Sequence, residues 1–253
     1  MDLATITPMI LTFNEQANIA DTLSRLAWAH RIVVIDSYST DDTLSIIGKY
    51  PNVDVIQRTY EHFSSQCNFG LTKIETDWVL SLDADYKCRV DLEAELSKLI
   101  PSFAGYRVRF QYCMMGRPLR STLYPPRTVL YKKELANYAR DGHAHRVHIN
   151  GNVGDLASVI LHDDQKPLSS WLTAQQAYAR DEAVKLNASN PSELGWKDRI
   201  RKCCFAAPLL TGLYCYFGKR LVLDGVAGLY YTYQRVFAEV LLSLELLDRR
   251  LRK

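Results

Sequence analysis

Residues 79–87 read VLSLDADYK: an apolar run of strand-like composition, two aspartates one residue apart (Asp83 and Asp85), then a tyrosine. Residues i and i+2 of an extended chain point to the same side, so the two carboxylates act together if the extended conformation persists through them. Two carboxylates at close range repel, and a divalent cation relieves that repulsion. Mg²⁺ or Mn²⁺ prefers such oxygen ligands and leaves coordination positions open for a substrate diphosphate. A lone DxD is common and equally well ends a strand and caps a turn, so its surroundings decide.

Those surroundings alternate strand and helix. Residues 5–13 are mostly β-formers and end at Asn14, read as the N-cap of a helix over residues 15–29 with Ile19, Leu23 and Leu26 on one face. RIVVID (31–36) is a continuous apolar run, as in a parallel strand covered on both faces, and Ser39-Thr40-Asp41 caps a second helix. A third strand at 53–57, a helix at 63–74, the fourth strand at 78–82 and a helix capped by Asp91 follow. This order predicts an α/β fold with an open sheet and right-handed crossovers, in which ligands bind beyond the carboxyl ends of the strands. Three polar clusters stand at such ends: Asn14-Glu15, Asp36-Ser37 and Asp83-Ala84-Asp85.

From Gly105 the pattern changes to alternating segments at 106–112, 128–132 and 145–149, predicting an antiparallel or mixed continuation. A long helix capped by Ser169 runs to about Ala188, and residues 187–195 read as a linker. We expect two regions, a catalytic one over 1–190 and a helical one over 191–253. CCFAAPLLTGLYCYF (203–217) is too short to span a bilayer, which takes about 20 residues, and Pro208 and Gly212 interrupt it. Residues 226–251 carry a long apolar helical face. Cationic flanks around these segments fit helices lying in an anionic membrane interface; the plainer alternatives are a hairpin packed on the catalytic region or a homo-oligomer contact.

The 253 residues hold 31 Lys+Arg against 28 Asp+Glu, a net charge of +3, so no global field marks a nucleic-acid binder. Six cysteines without a CxxC pair argue against a zinc site or a disulfide framework. The N-terminus lacks a basic region ahead of its apolar run, and the expectation is a cytoplasmic protein, peripheral on the inner membrane.

ILTFNE (10–15), VVIDSYSTDDT (33–43), QCNFGL (66–71) and VLSLDADY (79–86), in this order, resemble the nucleotide-sugar half of family 2 glycosyltransferases with the GT-A fold. RPLRSTLYPPRTVLYKK (117–133), DGHAHRV (141–147) and ILHDDQKPLSSWL (160–172) resemble the branch of bacterial lipopolysaccharide-core β-1,4-glucosyltransferases, and DGVAGLYYTYQR (224–235) that branch's membrane-associated C-terminus. The resemblance implies an inverting, metal-dependent transfer of a hexose, glucose from UDP-glucose, to a lipopolysaccharide inner-core or related lipid-linked acceptor.

Carried over by position, the resemblance places Thr12, Asn14, Glu15 and Asp36 around the nucleoside. Gln66 and Asn68 lie beside it; a helical surface is their plainer reading. Asp83 and Ala84 fall on the ribose and diphosphate side, Asp85 ligates the metal, and His162 supplies a third metal contact. The acidic pair that many such enzymes place where His145-Arg146 stand here is missing. Asp141 is therefore the first candidate for the base, with His143 and His145 behind it, and Arg146 pairs with the diphosphate or an acceptor phosphate. Arg117, Arg120 and Arg127 face an anionic acceptor or form a solvated surface, and Trp171 lines the acceptor cleft or is core.

Rival classes are weaker. A haloacid-dehalogenase-like phosphatase places Thr or Val after its second aspartate, where Tyr86 stands, and a pyrophosphorylase opens with a Gly-rich loop that residues 11–20 lack. A non-catalytic membrane-bound scaffold with the same fold remains the non-enzymatic alternative.

Overall fold

The computed structural model describes residues 1–139, 146–190, 192 and 194–252. They fall into two compact units: the first comprises residues 1–116, 124–139 and 146–165, the second 117–123 and those from 166 onward.

In the first unit the chain runs β1 (Ile6–Thr12), α1 (Ile19–Ser24), β2 (Ile32–Asp36), α2 (Thr43–Ile47), β3 (Val53–Gln57), α3 (Phe63–Leu71) and β4 (Trp78–Asp83). A turn then leads to the short β5 (Tyr86–Cys88), α4 (Val90–Lys98) and β6 (Gly105–Met114). A two-residue strand β7 (Arg117–Pro118) belongs to the second unit; β8 (Arg127–Lys132), β9 (Ala136–Tyr138), β10 (Val147–Ile149) and β11 (Val153–His162) complete the first. The main sheet has the order β3-β2-β1-β4-β8-β6-β11-β5, and β9 pairs with β10 separately. Strands β1 to β4 are mutually parallel, and β8 and β5 run against their neighbours. This is a mixed GT-A-type sheet.

The apolar runs explain the two covered faces. Alternate residues of a strand face opposite ways: Ile6, Ile10, Ile32, Val34, Leu80 and Leu82 enter one core with Ile19, Leu23 and Leu96, while Met9, Val33, Ile35 and Val79 enter another with Cys67. Thus α1 and α4 cover one face and α3 the other. At Gly70 of α3 a Cβ would lie 2.5 Å from Met9 Sδ and 3.2 Å from Ile35 Cγ1, so the helix seats directly on the sheet.

Several ends differ from the sequence expectation. Helix α1 begins at Ile19 rather than residue 15, and Asn14 is not its cap. Asn14 takes a left-handed backbone (φ 53°), which asparagine tolerates. Asp91 lies in the first turn of α4, and Pro167, not Ser169, flanks α5.

The register of β11 against β6 shifts between Asp155 and Val159. The bulge frees the amides of Ala157 and Ser158, and both donate to Glu95 of α4, at 2.7 and 2.9 Å. Burial opposes the Glu95 charge, but these donors and the Ser158 hydroxyl outweigh it and hold the pKa below its ordinary value. A depressed carboxylate stabilises the fold above its unfolded pKa and loses that contribution as pH falls through the folded value. Glu95→Gln is therefore expected to lower stability near neutrality by about 1 kcal/mol. It should also flatten the acid limb below pH ~4, as read by urea midpoints across pH.

The second unit is helical: α5 (Leu168–Ala188), α6 (Trp196–Lys202), α7 (Ala206–Leu213) continued by a π turn (Tyr214–Gly218), a 3-10 turn (Leu221–Asp224) and α8 (Gly225–Leu251). Ala183, Leu186, Cys204, Leu242 and Leu246 form its core. Arg201 joins α6 to Glu239 of α8 at 2.8 Å and to Glu182 of α5 at 3.5 Å. Pro208 and Gly212 do not interrupt the apolar segment as the sequence suggested. Pro208 sits in the first turn of α7, where a missing N–H costs little. A Cβ on Gly212 would lie 3.2 Å from Val236 of α8, so the glycine permits close helix packing.

Candidate active site

Sheet order reverses at β1, whose neighbours β2 and β4 lead to opposite sides of the sheet. Register places Thr12 beside Asp36 and Leu11 beside Asp83, so the carboxyl ends of three strands bring Thr12, Asp36 and Asp83 to one edge. Because β8 is antiparallel to β4, its first residue, Arg127, stands at that edge too. Further along, His162 ends β11, paired with Tyr112 of β6 and Tyr86 of β5.

The two aspartates are not two steps of one extended strand. β4 ends at Asp83, and Ala84 and Asp85 form a turn. Thr22 Oγ1 of α1 donates to the Ala84 carbonyl at 2.6 Å, and the amide of Asp163 donates to the Asp85 carbonyl at 3.2 Å, so the turn is held from both sides. The carboxylates still sense each other. Burial first, then Asp85, pushes the Asp83 carboxyl above its ordinary pKa, against the opposing influence of Arg127, the Tyr86 hydroxyl and His162. Burial and Asp83 raise the Tyr86 phenol well above its usual value, which keeps it a hydrogen-bond donor.

His162 Nε2 lies 3.0 Å from Asp85 Oδ2. Burial works against the imidazolium, but the charge and hydrogen bond of Asp85 win and raise its pKa. Nδ1 is buried with no hydrogen-bond partner. The ring is positioned instead by aromatic walls: Tyr112, Tyr124 and Tyr86, with centroids at 4.6, 4.8 and 5.1 Å. The Tyr86 and Tyr124 hydroxyls share a short hydrogen bond, and Arg127 stacks on Tyr124 at 4.6 Å.

Among the described residues no three His, Cys, Asp or Glu side chains converge tightly enough to hold an ion by themselves, so the expected set of Asp83, Asp85 and His162 is not a closed cage. Two donors do converge. Adjacent ligands of an octahedral ion at about 2.1 Å stand about 3.0 Å apart, the separation of Asp85 Oδ2 and His162 Nε2. A carboxylate and an imidazole with the remaining positions open suit a Mg²⁺ or Mn²⁺ that takes its other ligands from a diphosphate and water.

On the nucleotide side, Asp36 is fully buried, and its carboxylate accepts from Ser39 N (2.9 Å), Ser39 Oγ (2.5 Å) and Gln57 Nε2 (3.1 Å). Asn14 joins this loop by donating its amide to Ser39 Oγ at 2.9 Å and accepting from Thr40 N at 2.8 Å. The Glu15 amide donates to Thr43 Oγ1, and its carboxylate accepts from Asn18 at 2.9 Å. Gln66, 1% exposed, donates to Ser37 Oγ and accepts from Arg58. Thr12 Oγ1 is buried with no hydrogen-bond partner, a polar atom turned to the same edge as Asp36.

Some expected residues stand differently. Both amide groups of Asn68 are used on the backbone of Tyr138, at 2.8 and 3.0 Å, so it ties α3 to β9 and is not the helical surface residue its plainer reading allowed. Arg146 is exposed just before β10. In the second unit Arg120 bonds Asp224 through its amide and guanidinium, and Trp171 packs on Phe237 and Arg235. The candidate bases Asp141, His143 and His145 lie outside the described residues. Sequence reasoning missed Tyr86, Tyr124, Ser39 and Gln57. Tyr86 follows Asp85 directly, and Ser39 and Tyr124 lie within the motifs at 33–43 and 117–133, whereas Gln57 had no signal.

Residues 9–150, more than half of the chain, match the family model for Glycosyl transferase family 2. An uncharacterized glycosyltransferase of Rickettsia typhi is 28% identical over 143 residues, 53% of this chain and 48% of that protein. The chain thus spans about half the length of the first curated relatives it matches. The lipopolysaccharide core biosynthesis glycosyltransferase LpsC of Rhizobium meliloti is 23% identical over 239 residues, 88% of this chain and 84% of that protein. Among solved structures, S. aureus TarS 1-349 in complex with UDP-GlcNAc aligns over 98% of this chain and 92% of that chain with a TM-score of 0.51 at 15% identity, a likeness of fold.

Proposed function

The chain belongs to glycosyl transferase family 2, and on that premise we propose that it transfers a hexose, glucose from UDP-glucose, with inversion. The acceptor is a lipopolysaccharide inner-core or related lipid-linked glycan at the inner-membrane surface. The observation that carries the reading is the pairing of Asp85 and His162, 3.0 Å apart, next to the strand end of Asp83. The match to LpsC over most of both chains supports the acceptor class.

Asp85 and His162 would hold the Mg²⁺ or Mn²⁺, which when bound neutralises the diphosphate and stabilises the leaving UDP. Asp83, supported by the Tyr86 hydroxyl, orients the ribose and diphosphate side. Asp36 shapes the nucleoside pocket through the loop it holds, and the free hydroxyl of Thr12 is available to the ligand. Arg127 beside Asp83 meets negative charge on the diphosphate. A carboxylate or imidazole from Asp141, His143 or His145 takes the acceptor proton as its oxygen attacks the anomeric carbon.

The test is calorimetry with UDP and Mn²⁺, followed by assay of UDP release on adding core glycolipid. Metal-dependent binding and release are expected. Binding without release would mean a scaffold, and an intact core glycan in a strain lacking the protein, by mass spectrometry, would remove the lipopolysaccharide acceptor.

A further inference from the structure

We propose that Lys87 is a positioning residue for the candidate metal pair: its buried ion pair with Asp163 fixes β5 against β11 and so keeps Asp85 within reach of His162. This rests on the function above in taking Asp85 and His162 as the ligands.

Lys87 closes the stretch VLSLDADYK, and the site described above uses neither its charge nor its burial. It is 7% exposed on β5, where its Nζ donates to Asp163 Oδ2 at 2.9 Å and lies 3.2 Å from Asp21 of α1. Asp163, 2% exposed, is engaged through both oxygens. Its Oδ1 accepts from the Gly116 amide at 3.0 Å, and its Oδ2 also accepts from Gln165 at 2.8 Å. Two neighbours of Asp21 on α1 grip the same stretch. Thr22 holds the Ala84 carbonyl, and Arg25, paired with Asp21 at 2.7 Å, donates to the Cys88 carbonyl at 3.2 Å.

β5 needs such support. It is the last strand of the sheet and pairs with β11 over three residues, Cys88 with Ile160, Lys87 with Leu161 and Tyr86 with His162. Successive residues of a strand point to opposite faces. The Tyr86 and His162 rings therefore meet on one face, at 5.1 Å, and Lys87 reaches Asp163 from the other. The ribbon is pinned on both faces beside residues 85 and 162. A metal site keeps its geometry only if its ligands hold their places to about 0.5 Å, and a three-residue edge strand with few contacts of its own opens easily. A buried ion pair adds little to stability over an apolar pair of similar volume. The geometry it imposes is the better account of its presence here.

Lys87→Met alone would leave Asp163 buried without its counter-charge, so the test uses Lys87→Met/Asp163→Asn, which removes both charges and keeps an acceptor for the Gly116 amide. The urea midpoint is expected to stay near the parent's. The Mn²⁺ concentration that half-saturates UDP binding, read by calorimetry, should rise about tenfold. UDP affinity in EDTA should match the parent's, because the Asp36 loop is untouched. Asp21→Asn, at a half-exposed carboxylate, should raise the Mn²⁺ requirement by less, and it decides by the same reading if the double variant does not fold. A folded variant with the parent's Mn²⁺ requirement, or one whose UDP affinity falls equally in EDTA, would overturn the proposal and leave the function standing. A parent chain whose UDP binding ignores Mn²⁺ would remove the metal reading and the clamp with it.

Discussion

Asp85→Ala is expected to lower sugar transfer by about a thousandfold, corresponding to about 4 kcal/mol of lost transition-state stabilisation. The change removes the carboxylate 3.0 Å from His162 and leaves the turn intact. That turn is held through backbone groups, the Ala84 carbonyl by Thr22 and the Asp85 carbonyl by Asp163. It relieves repulsion on Asp83, whose carboxyl is pushed up by burial and by Asp85, but takes from the buried His162 Nε2 its acceptor, so the two effects oppose and the unfolding midpoint should shift little. Calorimetry with UDP should show binding that no longer responds to Mn²⁺. Unchanged metal dependence in this variant would remove Asp85 as a ligand.

Asp36→Ala carries the largest expected effect on stability, about 3 kcal/mol. Its carboxylate is 0% exposed and accepts three hydrogen bonds, so truncation leaves the Ser39 amide, the Ser39 hydroxyl and the Gln57 amide without their acceptor. The loop that also fastens Asn14 through Ser39 and Thr40 would loosen, weakening UDP binding as well. Urea unfolding reads the first effect and calorimetry the second. Asp36→Asn should restore part of the stability, because an amide oxygen can still accept from the loop. An Asp36→Ala midpoint equal to the parent's would show that the buried carboxylate is dispensable.

The inner strands β1 and β2 were readable because they are buried on both faces, as the unbroken apolar run of RIVVID between β1 and β3 requires, whereas β3 at the sheet edge is half exposed. The long helix α8 was readable from the apolar face that recurs over residues 226–251. Asn14 misled because the same side chain that caps helices also tolerates a left-handed backbone, and only the partners on Ser39 and Thr40 decide between them. β5 is three residues long, too short for any period, so the sequence left open whether the chain stays extended through the two aspartates. The candidate site was legible where it rests on strand ends. Its aromatic walls were not, since Tyr112, Tyr124 and His162 meet only through pairings far apart in sequence.

Between β4 and β5 stand β8, β6 and β11, so a flat sheet would part them by about 19 Å. Yet Asp83 ends one and Tyr86 begins the other, and a fully stretched chain reaches only about 11 Å over three residues. The ribbon must therefore roll up at this rim into a trough, and the two-residue link works as a drawstring. Spacing between the aspartates then fixes curvature as well as chemistry: one residue inserted at Ala84 would slacken the rim and draw His162 away from Asp85, even with every ligand still in place.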